Sequence, residues 1–224
     1  MQEQQGREWV AIVDFGSQYT QLIARVVREL GVYCEVVSCA RTVRQDEYLR
    51  GVVLSGSPRS VHDACAPSFD FSPYEGRVPV LGICYGAQLM AAKHGGTVSR
   101  SAAREYGRAR LSAVSAESLL TRGVAQDSQV WMSHGDTIVQ LGDGFVVTAS
   151  TNSIPVAMFE KSEGKLYGVQ FHPEVSHTEV GRAVLKNFLM GICGCKCDWT
   201  PRGFVQSEVE SLRKRIGSDR VVLG

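Results

Sequence analysis

A cysteine framed by glycines is the first sign of chemistry in this chain. Val78 to His94 reads VPVLGICYGAQLMAAKH, and inside it Gly82-Ile83-Cys84-Tyr85-Gly86 joins an apolar strand pattern directly to a helical one. This is the thiol counterpart of the G-x-S-x-G nucleophile elbow. The need for two glycines is steric: the nucleophile rides on a tight, strained turn, and side chains two residues to either side would strike neighbouring elements. The sulfur then stands at the sheet edge, where a substrate can reach it. It also sits at a helix N-terminus, whose partial positive charge favours thiolate over thiol. The backbone N–H of Tyr85 points into the same space and can hold a developing oxyanion. A cysteine packed at a strand end would also carry small neighbours, so the motif needs a partner base.

A thiol nucleophile requires a base within hydrogen-bond reach. The five histidines are His62, His94, His134, His172 and His177. His172 stands out, because Tyr167 to Phe171 forms a strand pattern and His172-Pro173-Glu174 follows it. In extended chain, residues i and i+2 face the same side, which sets Glu174 beside His172. Pro173 stiffens the backbone between them. A carboxylate beside an imidazole fixes its tautomer and stabilises the imidazolium. Cys84, His172 and Glu174 therefore make a triad. His62 lies in a polar loop and His94 closes a helix before Gly95-Gly96, so both read as structural or solvated. His177 is placed to shape the rim of the site. Cys193, Cys195 and Cys197 form C-x-C-x-C, whereas zinc sites pair C-x₂₋₄-C from two separate places, so no metal is expected. No G-x-x-x-x-G-K-[ST] loop is present.

These residues must be held by alternating strands and helices. Trp9–Asp14 reads as a strand, and Phe15-Gly16-Ser17 as a turn. Leu22, Ile23, Val26, Val27 and Leu30 recur at helical spacing, with Gly31 at the C-cap. Further strands are expected over Tyr33–Val37, Gly51–Ser55 and Val78–Ile83, nearly all apolar as in parallel strands covered on both faces. Strand, helix, strand in repetition predicts a doubly wound α/β fold: a mainly parallel sheet with helices on both faces. From about Gly96 the texture turns to strands and hairpins over Arg108–Val114, Gln129–Ser133, Phe145–Ser150, Pro155–Lys161 and Lys165–Phe171. They add a small antiparallel portion. Glu179–Gly191 returns to helical spacing. Cys193–Gly203 reads as a linker, Phe204–Ile216 as an amphipathic helix on Val205, Val209, Leu212 and Ile216, and Asp219–Gly224 as a strand without a partner of its own.

Composition narrows the function classes. The chain has 224 residues, 24 basic against 23 acidic, and a net charge of +1. A general nucleic-acid or membrane-surface binder needs a concentrated basic excess, so neither is expected. No apolar run approaches the roughly 18 residues of a membrane helix. Met1–Arg7 is polar, without the apolar core of a secretory signal. Seven cysteines, an odd number, argue against a disulfide framework and for a reducing, cytoplasmic setting.

Gly82–Gly86 with Gln88, the segment Leu54-Ser55-Gly56-Ser57-Pro58, and His172-Pro173-Glu174 together resemble the class I (triad) glutamine amidotransferases, with their flavodoxin-like fold. Asp14-Phe15-Gly16-Ser17-Gln18-Tyr19-Thr20-Gln21 with Arg25 and Arg28-Glu29, Trp131-Met132-Ser133-His134-Gly135-Asp136, Gly168–Val175 and the tail from Asp198-Trp199-Thr200-Pro201 are similar to the amidotransferase domains of GMP synthetases. The resemblance implies that Cys84 attacks the γ-amide of L-glutamine, that His172 moves the protons, and that Glu174 orients it. It implies an oxyanion hole from the N–H groups of Ser57 and Tyr85, and glutamine contacts near Gly56, Gln88, Ser133, Gly135 and Asp136. It divides the chain into an amidotransferase domain over 1–192, a linker over 193–203, and the start of a synthetase (ATP-pyrophosphatase) domain over 204–224. No cofactor is then expected in this chain; ATP and magnesium belong to the synthetase domain, where ammonia aminates XMP to GMP. The implied complete enzyme is a cytoplasmic homo-oligomer. The helix from Ser17 to Leu30, with Arg25 and Arg28, is a candidate docking face. The family commonly has Ser-Gly-Gly-Pro where this chain has Ser55-Gly56-Ser57-Pro58; a positive φ at Ser57 would cost about 1–2 kcal/mol. Two other readings remain: a γ-glutamyl peptide hydrolase of the same fold, and a non-catalytic regulatory domain, which would not need the intact triad.

Overall fold

Trp9–Asp14 (WVAIVD) alternates its side chains between two faces and finds apolar cover on both. In the computed structural model, which describes residues 6–222, this segment is strand β1, second from one edge of a nine-stranded sheet and paired on both sides. Val10 and Ile12 enter one apolar cluster, whereas Trp9, Ala11 and Val13 enter the other. Two covered faces explain why β1 reads as one unbroken apolar run. Met1–Gln5 lie outside the described residues, and with them most of the polar N-terminal stretch.

The other elements follow in chain order. They are α1 (Thr20–Glu29), β2 (Cys34–Ser38), β3 (Leu49–Leu54), β4 (Val80–Ile83), α2 (Tyr85–Lys93), β5 (Thr97–Val114), β6 (Gln129–Gln140), β7 (Val146–Thr151), β8 (Met158–Lys161), β9 (Leu166–Val169), α3 (Gly181–Lys186) and α4 (Pro201–Ile216). The sheet order is β2-β1-β3-β4-β9-β8-β7-β5-β6. From β2 through β9 the neighbours are parallel, and from β9 through β6 they are antiparallel. Helices α1 and α3 pack on one face through Ile23, Ala24, Val27, Val184 and Leu185. Helix α2 packs on the other through Ala87, Met90 and Ala91. Tyr85 to Ala91 are all buried, so α2 is a core helix and not an amphipathic one.

The antiparallel portion supplies half of the pairings. Strand β5 is longer than expected because it serves two partners in turn, β6 along Thr97–Arg110 and β7 along Leu111–Val114. Strand β6 runs on past Ser133 to Gln140. The helix expected over Glu179–Gly191 becomes α3 followed by a π-helical stretch, Asn187–Ile192.

The stretch after residue 192 lies against the sheet domain. Cys193 and Cys195 are buried, and the Trp199 N–H donates to the Gly31 carbonyl at 2.8 Å. A Cβ on Gly31 would come within 2.6 Å of the Cys197 carbonyl oxygen, so this contact and the positive φ of +82° both demand glycine there. Helix α4 begins three residues earlier than the pattern indicated. Pro201 takes its first position and the Thr200 hydroxyl accepts from the Gly203 N–H at 3.1 Å. It buries no residue along its length. Asp219–Val222 is not a strand, which corrects the expectation there; Leu223 and Gly224 lie outside the described residues.

Gly168 on β9 marks a tight point in the sheet: a Cβ there would stand 2.1 Å from Cζ of the buried Phe159 ring. Gly168→Ala is expected to lower the unfolding free energy by about 1–3 kcal/mol in denaturant titration, the usual cost of overpacking. A midpoint equal to that of the native chain would refute this packing.

Candidate active site

Four loops meet at the carboxyl ends of the parallel strands: those after β1, β3, β4 and β9. In open α/β sheets this edge is where ligands bind. Together with the middle of β6 these loops enclose a cavity of about 670 Å³.

Cys84 sits between the last residue of β4 and the first of α2, with φ 51° and ψ −107°. A non-glycine residue held there stores about 1–3 kcal/mol of strain. The surroundings leave the turn no alternative. A Cβ on Gly82 would lie 2.6 Å from the Ala87 nitrogen, and one on Gly86 would lie 2.4 Å from the Leu54 carbonyl oxygen. The backbone is held too, since the Cys84 N–H donates to the Val169 carbonyl at 2.8 Å and the Gly86 N–H to the Ser55 carbonyl at 3.1 Å. The Cys84 side chain does not cap α2; its thiol donates to the Ser133 carbonyl at 3.9 Å and shares the cavity with His172.

His172 and Glu174 follow β9, which ends at Val169, so the His-Pro-Glu segment is a turn and not the extended chain expected. The turn nevertheless brings His172 Nδ1 within 2.6 Å of Glu174 Oε1, with both side chains almost wholly buried. Its backbone is fixed to β6: the His172 N–H donates to the Trp131 carbonyl at 3.0 Å. The Thr178 hydroxyl donates to the His172 carbonyl at 2.6 Å and accepts from the Trp131 N–H at 3.0 Å. Burial opposes charge on His172, but the Cys84 sulfur and the Glu174 carboxylate outweigh it and raise the imidazole above its ordinary 6.5. Such a ring is a proton donor at neutral pH.

The remaining expected residues fall around this pair. Tyr85, Ser57, Gln88, Ser133, Gly135 and Asp136 all line the cavity. Tyr85 opens α2, so its N–H is one of the first-turn donors without a carbonyl one turn back. Among the described non-glycine residues positive φ occurs at Cys84, Asp127, Lys165 and Cys197, and not at Ser57, so serine carries no such penalty there. Gly56 is buried behind the wall, its virtual Cβ 3.4 Å from His172 Cε1. Gln88 is partly committed, since its Nε2 donates to the Asp136 carbonyl at 2.8 Å.

Gln170, Arg59 and Tyr19 are among the residues at this site that escaped the sequence. Gln170 Nε2 also donates to the Asp136 carbonyl, at 3.3 Å. Arg59 brings a cation to the rim, and Tyr19 lays its ring against His172 at 5.0 Å between centroids. Tyr19 lies in the same DFGSQYT stretch as the resemblance; its place was the part that spacing could not give. His94 and His177 stay outside. His94 bonds Met90 and Glu75 and stacks on Phe71, and His177 packs on Trp131 instead of the cavity rim. The seven cysteines are free thiols, and no group of three or more His, Cys, Asp or Glu among the described residues could hold a metal. Arg28 is turned inward to the Cys34 carbonyl at 3.1 Å, whereas Arg25 is exposed and paired with Glu29. Among the described residues no helix is long and apolar enough to cross a membrane.

Known proteins resemble this chain in sequence and fold. A family model described as glutamine amidotransferase class-I matches residues 11–192. The GMP synthase [glutamine-hydrolyzing] of Cytophaga hutchinsonii is 51% identical over 217 residues, which is 97% of this chain and 43% of that protein. That of Bacteroides thetaiotaomicron is 49% identical over 218 residues, with the same coverage. The chain thus spans less than half the length of these relatives. Among solved structures, a candidate GMP synthase subunit from Thermoplasma acidophilum superposes with a TM-score of 0.74 at 30% identity, over 92% of this chain and 98% of that one. A glutamine amidotransferase from Thermotoga maritima shares the fold, with a TM-score of 0.60 at 21% identity over 95% and 87% of the two chains.

His134 also lines the cavity and is buried, and burial lowers its imidazole from 6.5 to about 4. The charge of His172 adds to this, against a hydrogen bond with the Asp136 backbone. The unfolded chain then binds the extra proton, so this contribution to stability is whole above pH 6.5 and is lost as pH falls towards 4. Denaturant titrations between pH 7 and 4 should show stability falling by up to about 1.4 kcal/mol per pH unit from this residue, and His134→Gln should flatten the fall. Parallel curves for the two proteins would contradict it.

Proposed function

The chain belongs to the class I glutamine amidotransferases, and from that membership we propose that it hydrolyses L-glutamine to glutamate and ammonia through a thioester on Cys84. The observation that carries this reading is the 2.6 Å contact of His172 with Glu174 beside the strained cysteine. An amide nitrogen leaves only once it is protonated, and a buried imidazolium held by a carboxylate supplies that proton. Cys84 Sγ attacks the γ-carbonyl carbon, and the oxyanion is received by the N–H groups of Tyr85 and Ser57. The C–N bond breaks as His172 gives its proton to the departing nitrogen. The neutral imidazole then takes a proton from water, which attacks the thioester and releases glutamate and the thiol. Glu174 keeps the Nδ1 proton in place throughout.

The cavity suits an amino acid at its far end. The buried Asp136 carboxylate matches the α-ammonium group, and Arg59 at the rim matches the α-carboxylate. The ammonia serves a synthetase (ATP-pyrophosphatase) partner that uses ATP and magnesium to aminate XMP to GMP; the names and lengths of the relatives support this. The free thiols suit a reducing cytoplasm.

A glutamine-mimicking electrophile is expected to label Cys84, with labelling blocked by glutamine and lost in Cys84→Ala. Ammonia release at the native rate by Cys84→Ala would overturn the assignment. Asp136→Asn is expected to raise the KM for glutamine at least tenfold with a smaller change in kcat, the mark of a ground-state contact. If only kcat moved, Asp136 would not be the ammonium partner. Supplying the synthetase portion with ATP and XMP should raise glutaminase turnover severalfold; turnover indifferent to that portion would argue against the partnership.

A further inference from the structure

We infer that Tyr19 is a positioning residue for His172, and that the turn from Asp14 to Thr20 is built to hold its ring there; this rests on the glutaminase reading above. Glu174 holds the imidazole at Nδ1, and a contact at one ring atom leaves the ring able to tilt about it. Two surfaces remove the tilt. The Gly56 backbone lies close to Cε1, and the Tyr19 ring meets the imidazole edge-to-face at 5.0 Å and 64°. Tyr19 lines the same cavity as Cys84 and His172.

Tyr19 cannot easily leave this place, because its backbone is anchored on several sides. Asp14 Oδ1 accepts from the Gly16 N–H at 2.9 Å and from the Thr20 hydroxyl at 2.7 Å. The Ser55 hydroxyl accepts from the Phe15 N–H at 3.1 Å, which ties the turn to the loop after β3. The Ser17 hydroxyl accepts from the Tyr19 N–H at 3.1 Å. The Tyr19 carbonyl accepts the first amides of α1, from Leu22 at 2.9 Å and Ile23 at 3.0 Å. Gly16, at φ +84°, allows the chain to reverse within so short a span. Each polar residue from Asp14 to Thr20 that makes one of these bonds therefore fixes backbone and not substrate, and the side chain so delivered to the imidazole is that of Tyr19.

The contact is made by the ring, which separates the outcomes. Misplacement of a reacting group by about 1 Å can cost about 100-fold in rate. In the full protein, Tyr19→Leu is expected to lower glutaminase kcat by about 10- to 100-fold with KM within about threefold. Tyr19→Phe keeps the ring and should stay within about threefold of native. Iodoacetamide alkylation of Cys84, followed by mass spectrometry of its peptide, supplies a readout that needs no glutamine. A loosened imidazolium stabilises the thiolate less, so the midpoint of the pH–rate curve should move upward in Tyr19→Leu, towards that of His172→Ala, and stay put in Tyr19→Phe. The inference is overturned by native turnover and midpoint in Tyr19→Leu, by a loss confined to KM, by lost turnover at an unchanged midpoint, or by a phenylalanine variant as impaired as leucine. A native protein that released no ammonia would sink the glutaminase reading instead, and the alkylation midpoints would still decide the role of Tyr19.

Discussion

Where β4 meets α2, the backbone has almost no room. Leu54 on the neighbouring strand and the first turn of α2 close on the chain so tightly that only hydrogen fits at positions 82 and 86. Within that space the intervening residue is forced to φ 51°, and the strand–helix packing on both sides outweighs the cost. Everything chemical about the molecule starts from this steric constraint, because it turns the Cys84 thiol away from the helix it could cap and towards β6 and the imidazole.

The second constraint is electrostatic and works only because the first has set the position. A carboxylate with its side chain wholly buried is costly unless paired. Glu174 is paired with His172, and His172 in turn with Cys84, so the three groups offset one another's desolvation. The hydroxyl of Thr178 and the carbonyl of Trp131 hold the His172 backbone to β6, which itself contributes the opposite wall. Strand β6 lies at the far end of the sheet order, yet its Ser133–Asp136 stretch lines the cavity at the carboxyl ends of β4 and β9.

Much of this was legible in the sequence, and the limits have physical causes. The first strand was read to the residue, since burial on both faces leaves a plain apolar run. The elbow was legible because its sterics permit few residue types. The joining of His172 to Glu174 was foreseen on a wrong local geometry: the segment is a turn, and the partners meet by closure of that turn and not by strand alternation. The extent of β5 was hidden because one continuous strand changes partners midway, which no periodicity records. Asp219–Val222 has strand composition without strand structure, because a strand exists only when something pairs with it. Gln170, Arg59 and Tyr19 were invisible as site residues for one reason: each acts across a gap that only the tertiary arrangement closes.

The place of β9 between β4 and β8 has a consequence in time. The strand that delivers the imidazole is laid directly against the strand that ends in the sulfur, but the ribosome makes it last of the nine. At about 5–20 residues per second, synthesis leaves many seconds between the appearance of the thiol and that of its base. During that interval the nascent chain carries the cysteine without the imidazole that the finished sheet sets beside it. Insertion of the last-made strand between two strands already in place is therefore the step that brings sulfur and imidazole into one cavity.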